Sequence, residues 1–287
     1  GSGDSHGGLG VSVADDYRMR LVDDLATVAS ADWNSLAAAS GSGRAQPFLR
    51  HEFLHAMEAS GCVGAGTGWV PRHLLLEDAR GRLRAAVPLY LKSHSYGEYV
   101  FDWAWADAYQ RHGKRYYPKL LSAVPFTPVT GSRLLAADDR AREAAARALM
   151  RLAAESGLSS LHVLFPTESE AALLEARGAM QRRGVQFHWR NEGWADFDAF
   201  LAALSQPKRK KIRAERRKVA EAGVRLRRLH GHEIGGAHWA FFNRCYESTY
   251  AAHQSTPYLN LEFFERIGEA MPEHLVLVVA ERDGRPI

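Results

Sequence analysis

The stretch PFLRHEFLHAMEA, residues 47–59, has a counterpart in PYLNLEFFERIGE, residues 257–269. Pro47/Pro257, Leu49/Leu259, Glu52/Glu262 and Phe53/Phe263 coincide, and Phe48/Tyr258, Leu54/Phe264 and Met57/Ile267 are similar pairs. Downstream of each lies a second match, VPRHLLLEDARGRL from Val70 and MPEHLVLVVAERDGRPI from Met271. Upstream, YRMRLVDD from Tyr17 stands opposite VRLRRLHG from Val224, and Trp33 stands opposite Trp239. Matches that keep one order along the chain point to two copies of a single domain.

Each copy reads alike. An alternating strand, with Val224 and Leu226 on one face and Arg225 and Arg227 on the other, leads to a helix around the Trp. A second helix follows the Pro-aromatic-Leu entry, then an apolar strand and an Arg-Gly or Asp-Gly turn that opens a hairpin. The first copy continues with LRAAVPLYL, EYVFDWAWA and KLLSAVPFTPV as expected strands, and an Ala-rich helix over 139–155. SLHVLFP (strand), ESEAALLEARG (helix) and VQFHWRN (strand) complete it. The order β-α-α-β-β-β-α-β-α-β predicts an α/β fold of the α+β type with a mixed sheet. The expected organisation is a tail over 1–14, a first domain over 15–192, linking helices with a basic stretch over 193–222, and a second domain over 223–287. That second copy stops three residues past its Asp-Gly turn, well short of where the first one ends, so it reads as incomplete.

The chain has 287 residues, 46% of them hydrophobic, and a net charge of +4. Residues 207–229, PKRKKIRAERRKVAEAGVRLRRL, hold eleven Lys and Arg against Glu215 and Glu221, a local +9 that leaves −5 for the remainder. Basicity confined to one patch suggests a specific anionic partner rather than a diffuse polyanion grip. Two cysteines, Cys62 and Cys245, give no disulfide framework and fit a reducing compartment. No window reaches the apolar length of a membrane span, so a soluble, cytoplasmic protein without membrane insertion is expected.

Pro207 suits the first turn of a helix that Gly223 would end. On it, Ile212, Val219 and Ala222 share one side, and Arg209, Arg213 and Arg217 form a stripe beside them with Lys210 at its edge. Such a stripe suits bidentate binding of phosphate or carboxylate. Three readings stay open: a solvated charged helix, a grip on a small anionic substrate, and contact with a nucleic-acid backbone.

HEFLH, residues 51–55, is a literal H-E-x-x-H and would place His51, Glu52 and His55 as a zinc protease requires. The second copy has LEFFE at 261–265, so the helix forms without either histidine, and no metal site is expected.

Three stretches carry a family resemblance: PFLRHEFLHAMEASG, GEYVFDWAWADAYQRHGKRYYPKLLSAVPFTPVTGSRLL and LSQPKRKKIRAERRKVAEAGVRL. They resemble the motifs of a bacterial family of FemAB-like N-acyltransferases, over nearly all of residues 16–287. The resemblance implies tandem GNAT-like domains and transfer of an acyl or aminoacyl group, from a thioester such as acyl-CoA or from aminoacyl-tRNA, to an amine. It also implies peptidoglycan-precursor chemistry, with an anionic acceptor and a tRNA among the candidate partners. An acyl-CoA site in such domains usually has a glycine-rich loop whose amides hold the pyrophosphate. Here TPVTGSRLLAADDR offers only Gly131 and an acidic helix start at Asp138 and Asp139, so the donor is expected in the second copy.

Acyl transfer to an amine needs a group to hold or deprotonate the amine and a proton donor for the leaving group. FDWAWADAY supplies Asp102 and Asp107 for the first task and Tyr109 for the second, at the end of an expected strand. Trp103 and Trp105, two apart, would wall a pocket or pack in the core, and the aspartates would otherwise cap a turn. Tyr116, Tyr117 and Lys119 in YYPKLL would line the same cleft. His188 is expected as a satisfied core histidine.

Overall fold

The computed structural model describes residues 16–41 and 46–287; the expected tail over 1–14 lies outside them. The described chain starts with β1 (Arg18–Val22), α1 (Ser30–Ser40) and α2 (His51–Ala59). β2 (Trp69–Pro71), β3 (His73–Glu77), β4 (Leu83–Val87) and β5 (Leu89–Lys92) follow, then α3 (Trp103–Arg111) and β6 (Lys119–Ser122). Next come β7 (Leu135–Ala136), α4 (Asp139–Glu155), β8 (Leu161–Val163) and α5 (Glu168–Glu175). Beyond them lie α6 (Phe197–Ala202), α7 (Gln206–Glu221), β9 (Arg225–His230) and α8 (Gly236–Ala252). The chain closes with α9 (Leu261–Ala270), β10 (Val276–Arg282) and β11 (Arg285–Pro286). The fold is mixed α/β, with strands in several sheets.

Two compact units divide the chain. The first runs to Gln181 and adds Phe242–Met271; the second holds Arg182–Phe241 and Pro272–Ile287. In the first unit, β1-β3-β4-β7 form an antiparallel sheet and β2-β5-β6-β8 a mixed one, in which only β6 and β8 run parallel. β4 leads into β5 through Pro88, which has no N–H to continue a ladder, and the chain changes sheet there. Leu74, Leu76, Val87 and Leu89 meet the alanine face of α4, where Ala141, Ala145 and Ala148 are buried. Small side chains on that face let the helix lie close to the strands. α2 packs against α9, with the Phe53 and Phe263 rings edge to face at 5.6 Å.

In the second unit, β11-β10-β9 form a three-stranded antiparallel sheet. Its pairing repeats that of the first unit. β1 lies antiparallel to β3 with Arg18 opposite Glu77, and β9 lies antiparallel to β10 with Arg225 opposite Glu281. Glu77 takes Arg18 at 2.9 Å and Arg20 at 2.8 Å; Glu281 takes Arg227 at 3.1 Å. The aligned arginines of the two sequence stretches thus meet a glutamate at matching ladder positions.

Several elements follow the sequence reading. The Ala-rich helix has the expected bounds, with Asp138 accepting from the Ala141 amide as its N-cap. α7 begins with Pro207 in its first turn, and Gly223 (φ +72°) ends it. Other elements differ. EYVFDWAWA is not a strand: residues 98–102 are irregular and α3 starts at Trp103. VQFHWRN has no ladder partner among the described residues, and Phe187 is 98% exposed. His188 is likewise exposed, not a core histidine. The apolar seam of α7 is not packed inward; the helix has no buried residue, and Val219 is exposed.

Candidate functional site

Two lysines face each other across the second sheet of the first unit. Lys92 on β5 and Lys119 on β6 are directly opposite in the antiparallel register, and both are fully buried. Like charges opposite one another destabilise a ladder, and a buried cation is costly without a partner. The segment after β5 supplies the partners. Glu98 and Asp102, both buried, turn inward, and Lys119 Nζ donates to Glu98 Oε2 at 2.9 Å and to Asp102 Oδ2 at 2.5 Å. A third bond from Lys119 goes to Ser95 Oγ at 3.0 Å. Lys92 Nζ lies 3.8 Å from Glu98 Oε1, donates to the Tyr96 carbonyl at 3.2 Å, and sits 3.9 Å from the centroid of the Trp69 ring.

Gly97 makes that approach possible. Its φ is +78°, and a Cβ there would meet the Phe126 ring at 2.6 Å. The Gly97 carbonyl accepts from the Phe126 amide at 3.2 Å, and the Tyr96 carbonyl accepts from the Trp69 indole at 3.1 Å.

Tyrosines complete the network. Tyr116 donates its hydroxyl proton to Asp102 Oδ2 at 2.6 Å, and Tyr117 shares a 2.6 Å bond with Ser95. Because the only proton of Tyr116 goes to Asp102, its 3.2 Å contact with His162 requires Nε2–H to donate. Ser160 Oγ lies 3.0 Å from the same nitrogen.

Charge states follow from these contacts. Burial pushes the Asp102 carboxyl up, but bonds from Lys119, Tyr116 and Ser95 and the Lys119 charge outweigh it and hold the group below its ordinary range. Burial dominates at Glu98 and raises it, against the pull of both lysines. Desolvation brings Lys92 down to about 7, with Glu98 opposing and Lys119 adding to the fall. Tyr116 is pushed well above the usual phenol value by burial and by the Asp102 carboxylate. One oxygen of each acid, Asp102 Oδ1 and Glu98 Oε1, is buried without a hydrogen-bond partner among the described residues.

Of the residues singled out in the sequence, Asp102, Tyr116, Tyr117 and Lys119 come together in this network. Asp102 precedes α3 but makes no side-chain cap bond; its carboxylate turns to Lys119 and Tyr116 instead. Asp107 does not join it: it is exposed and paired with Arg111. Tyr109 packs edge-on against Tyr116 at 5.2 Å, with its hydroxyl 3.5 Å from the Ser159 carbonyl. Trp103 and Trp105 are neither on a strand nor in the core; they sit on α3, about half exposed. Lys92, Glu98, Ser95 and His162 are members that the sequence reading did not single out.

In the second unit, Arg209 donates to the carbonyls of Leu201, Ala202 and Leu204 and so ties α7 to the end of α6. Arg217 pairs with Glu221, and Lys210 is exposed. Arg213 and Arg216 line a cavity of about 370 Å³ with Asp196, Phe197 and Asp198. The Arg216 guanidinium lies 4.3 Å from the Phe197 ring centroid.

The H-E-x-x-H residues are held otherwise. His51 donates Nε2–H to the Leu25 carbonyl at 2.7 Å, His55 stacks on it at 5.5 Å, and Glu52 accepts from Asn34 and Arg50.

The profile of the FemAB-like family, described as peptidoglycan biosynthesis/recognition, matches residues 24–287. The chain belongs to the FemAB-like family. Membership makes this FemAB-like protein a transferase related to peptidoglycan biosynthesis. A search of curated proteins returns no match. No helix among the described residues of the FemAB-like chain is long and apolar enough to cross a membrane.

Proposed function

We propose that the protein is an N-acyltransferase that moves an acyl or aminoacyl group onto an amine of an anionic, cell-wall-precursor acceptor, and that the amine is held at Asp102. The observation that carries this reading is the split role of the Asp102 carboxylate. Oδ2 is committed to Lys119 and Tyr116, while Oδ1 is buried with no hydrogen-bond partner among the described residues. A carboxylate kept ionised and oriented in this way is a weak base, so its task is to align the amine and offset the positive charge that grows on the attacking nitrogen. The nitrogen–carbonyl bond forms, the thioester or ester bond to the donor breaks, and the ammonium proton passes to the leaving group.

The first copy is a poor place for a CoA donor. Asp138 caps α4 with its own carboxylate and pairs with Arg84 at 2.5 Å. The buried Glu170 carboxylate accepts from the amides of Arg133 at 2.8 Å and Leu134 at 3.0 Å, so these amides are already engaged. The recurring β1–β3 and β9–β10 pairing supports a tandem arrangement, and the proposal assigns the donor, acyl-CoA or aminoacyl-tRNA, to the second copy. Within the second unit, Arg213 and Arg216 line a cavity beside the Phe197 ring and are the arginines proposed to hold an anionic group. No observation favours a non-enzymatic nucleic-acid-binding role.

The test is transfer to a UDP-linked, peptide-bearing cell-wall precursor, with acetyl-CoA and aminoacyl-tRNA offered in turn. With the productive donor, Asp102→Asn, which keeps the side-chain size and leaves Lys119 bonded to Glu98, is expected to lower kcat about 100-fold or more per folded molecule, the folded fraction being read from its unfolding curve. Unchanged turnover in that variant removes Asp102 from the reaction.

A further inference from the structure

Two sets of contacts hold the segment that carries Glu98 and Asp102. One comes from Lys92, Lys119 and the Trp69 indole. The other comes from residues Phe242–Met271, second-copy sequence that belongs to the first unit. There the Tyr258 ring stacks on Phe126 at 4.8 Å, with 9° between the planes. Phe126 in turn fixes Gly97. Its amide donates to the Gly97 carbonyl at 3.2 Å, and its ring lies 2.6 Å from where a Cβ on Gly97 would stand. The Gly97 amide donates to the Tyr258 hydroxyl; burial raises that phenol, and this bond pulls it back down. Both backbone polar groups of Gly97, the residue before Glu98, are thus engaged by the Phe126–Tyr258 pair. On the far side of Glu98, Tyr99 bonds to Tyr250, whose ring meets that of Tyr258 edge to face at 6.1 Å.

Backbone strain marks the same place. Phe126 and Tyr99 have φ of +59° and +58°, a region that residues with a Cβ rarely enter and that persists where the surroundings impose it. Such positions gather at functional sites. The entry to α9 does not itself require the Tyr258 hydroxyl. Its first-copy counterpart is Phe48, which precedes α2 without a hydroxyl and packs edge to face on Phe53 at 5.3 Å.

We infer that Tyr258 is a positioning residue: through Phe126 and Gly97 it fixes the segment from which Asp102 is presented. Its effect on turnover rests on the reading of Asp102 as the group that holds the amine, whereas its hold on the segment does not.

Two measurements on the full chain test this. The first needs no substrate. The Lys92 amine is faced by Glu98, Lys119 and Asp102, lies against the Trp69 ring, and is near enough to His94 for its charge to be felt there. In Tyr258→Ala the loosened segment admits water to that amine. Its titration midpoint, followed by NMR of lysine-labelled protein with Lys92→Met for assignment, should move up from the parent's by about one pH unit or more. Tyr258→Phe keeps the stack on Phe126 and should lie between. A tyrosine with a merely structural role lowers stability and leaves the midpoint in place, so an unmoved midpoint in Tyr258→Ala overturns the inference.

The second is a double-mutant cycle of turnover with the productive donor. Tyr258→Ala should lower kcat about tenfold or more per folded molecule, with the donor KM changed less than about twofold. The same substitution in Asp102→Asn should lower kcat no further, because both act at one group. A full tenfold loss in that background also overturns the inference, since Tyr258 then acts otherwise than through Asp102. If Asp102→Asn alone keeps full turnover, the amine reading fails, and the Lys92 midpoint by itself decides whether Tyr258 holds the segment.

Discussion

Replacing Lys119 with methionine tests the electrostatic account of the buried network most directly. The substitution keeps much of the volume and removes the one cation that bonds both Glu98 and Asp102, at 2.9 and 2.5 Å. Both carboxylates are then buried, and among the described residues Lys92 is the one cation still paired with either, 3.8 Å from Glu98. Breaking a buried ion pair on one side costs about 3–5 kcal/mol, a large part of the roughly 5–15 kcal/mol that stabilises a domain. The loss should depend on pH in a definite sense. Without Lys119, the acids of the folded variant have pKa values above their unfolded ones. Between those values the folded state binds more protons, so stability falls as pH rises. Each carboxylate contributes up to about 1.4 kcal/mol per pH unit in that window. Urea unfolding at pH 5 and pH 8 should therefore show a deficit about 2 kcal/mol smaller at pH 5. If the variant is too unstable at pH 8, the combination of Lys119→Met with Glu98→Met should recover part of the loss, because one stranded charge is gone. A deficit below about 1 kcal/mol that does not change with pH would refute the reasoning and show that Lys119 does not neutralise these acids.

Lys92 gives the opposite sign. Its folded pKa, brought down to about 7, lies below the unfolded value, so the unfolded chain binds more protons between about pH 7 and 10 and stability should rise with pH there. A rise of about 2 kcal/mol between pH 7 and 9 is expected from urea unfolding, and Lys92→Met should abolish it. At Glu170, substitution by alanine leaves the buried amides of Arg133 and Leu134 without their acceptor and should cost about 3 kcal/mol in the same assay. Glu170→Gln, which keeps an acceptor oxygen, should cost less.

The fold was legible wherever a local pattern matched a physical requirement. The Pro-aromatic-Leu entries, the alanine face of residues 139–155 and the Pro207–Gly223 bracket each marked a real helix. The pattern misled where side chains were placed by partners distant in sequence. Tyr99, Phe101, Trp103 and Trp105 are spaced two apart like a strand, but that spacing reflects Glu98 and Asp102 being drawn inward to Lys119, and a helix begins at Trp103. The same distance effect hid Lys92. Asp102, Tyr116, Tyr117 and Lys119 lie in one motif and could be grouped by proximity, whereas Lys92 closes an apolar strand and reads as a strand end. Its importance comes from standing opposite Lys119 in the ladder, and a register is a property of two strands together. The apolar side of α7 was visible, but a periodic stripe does not say what covers it.

The facing lysines also constrain how this sequence can diverge. Losing either acid leaves a cation stranded in the sheet, and losing Lys119 leaves two anions. Single substitutions at 92, 98, 102 or 119 each pass through a poorly tolerated intermediate, while a joint replacement of partners does not. These four positions should thus be inherited as one character: present together across a lineage, or exchanged together for an apolar set, with mixed states rare.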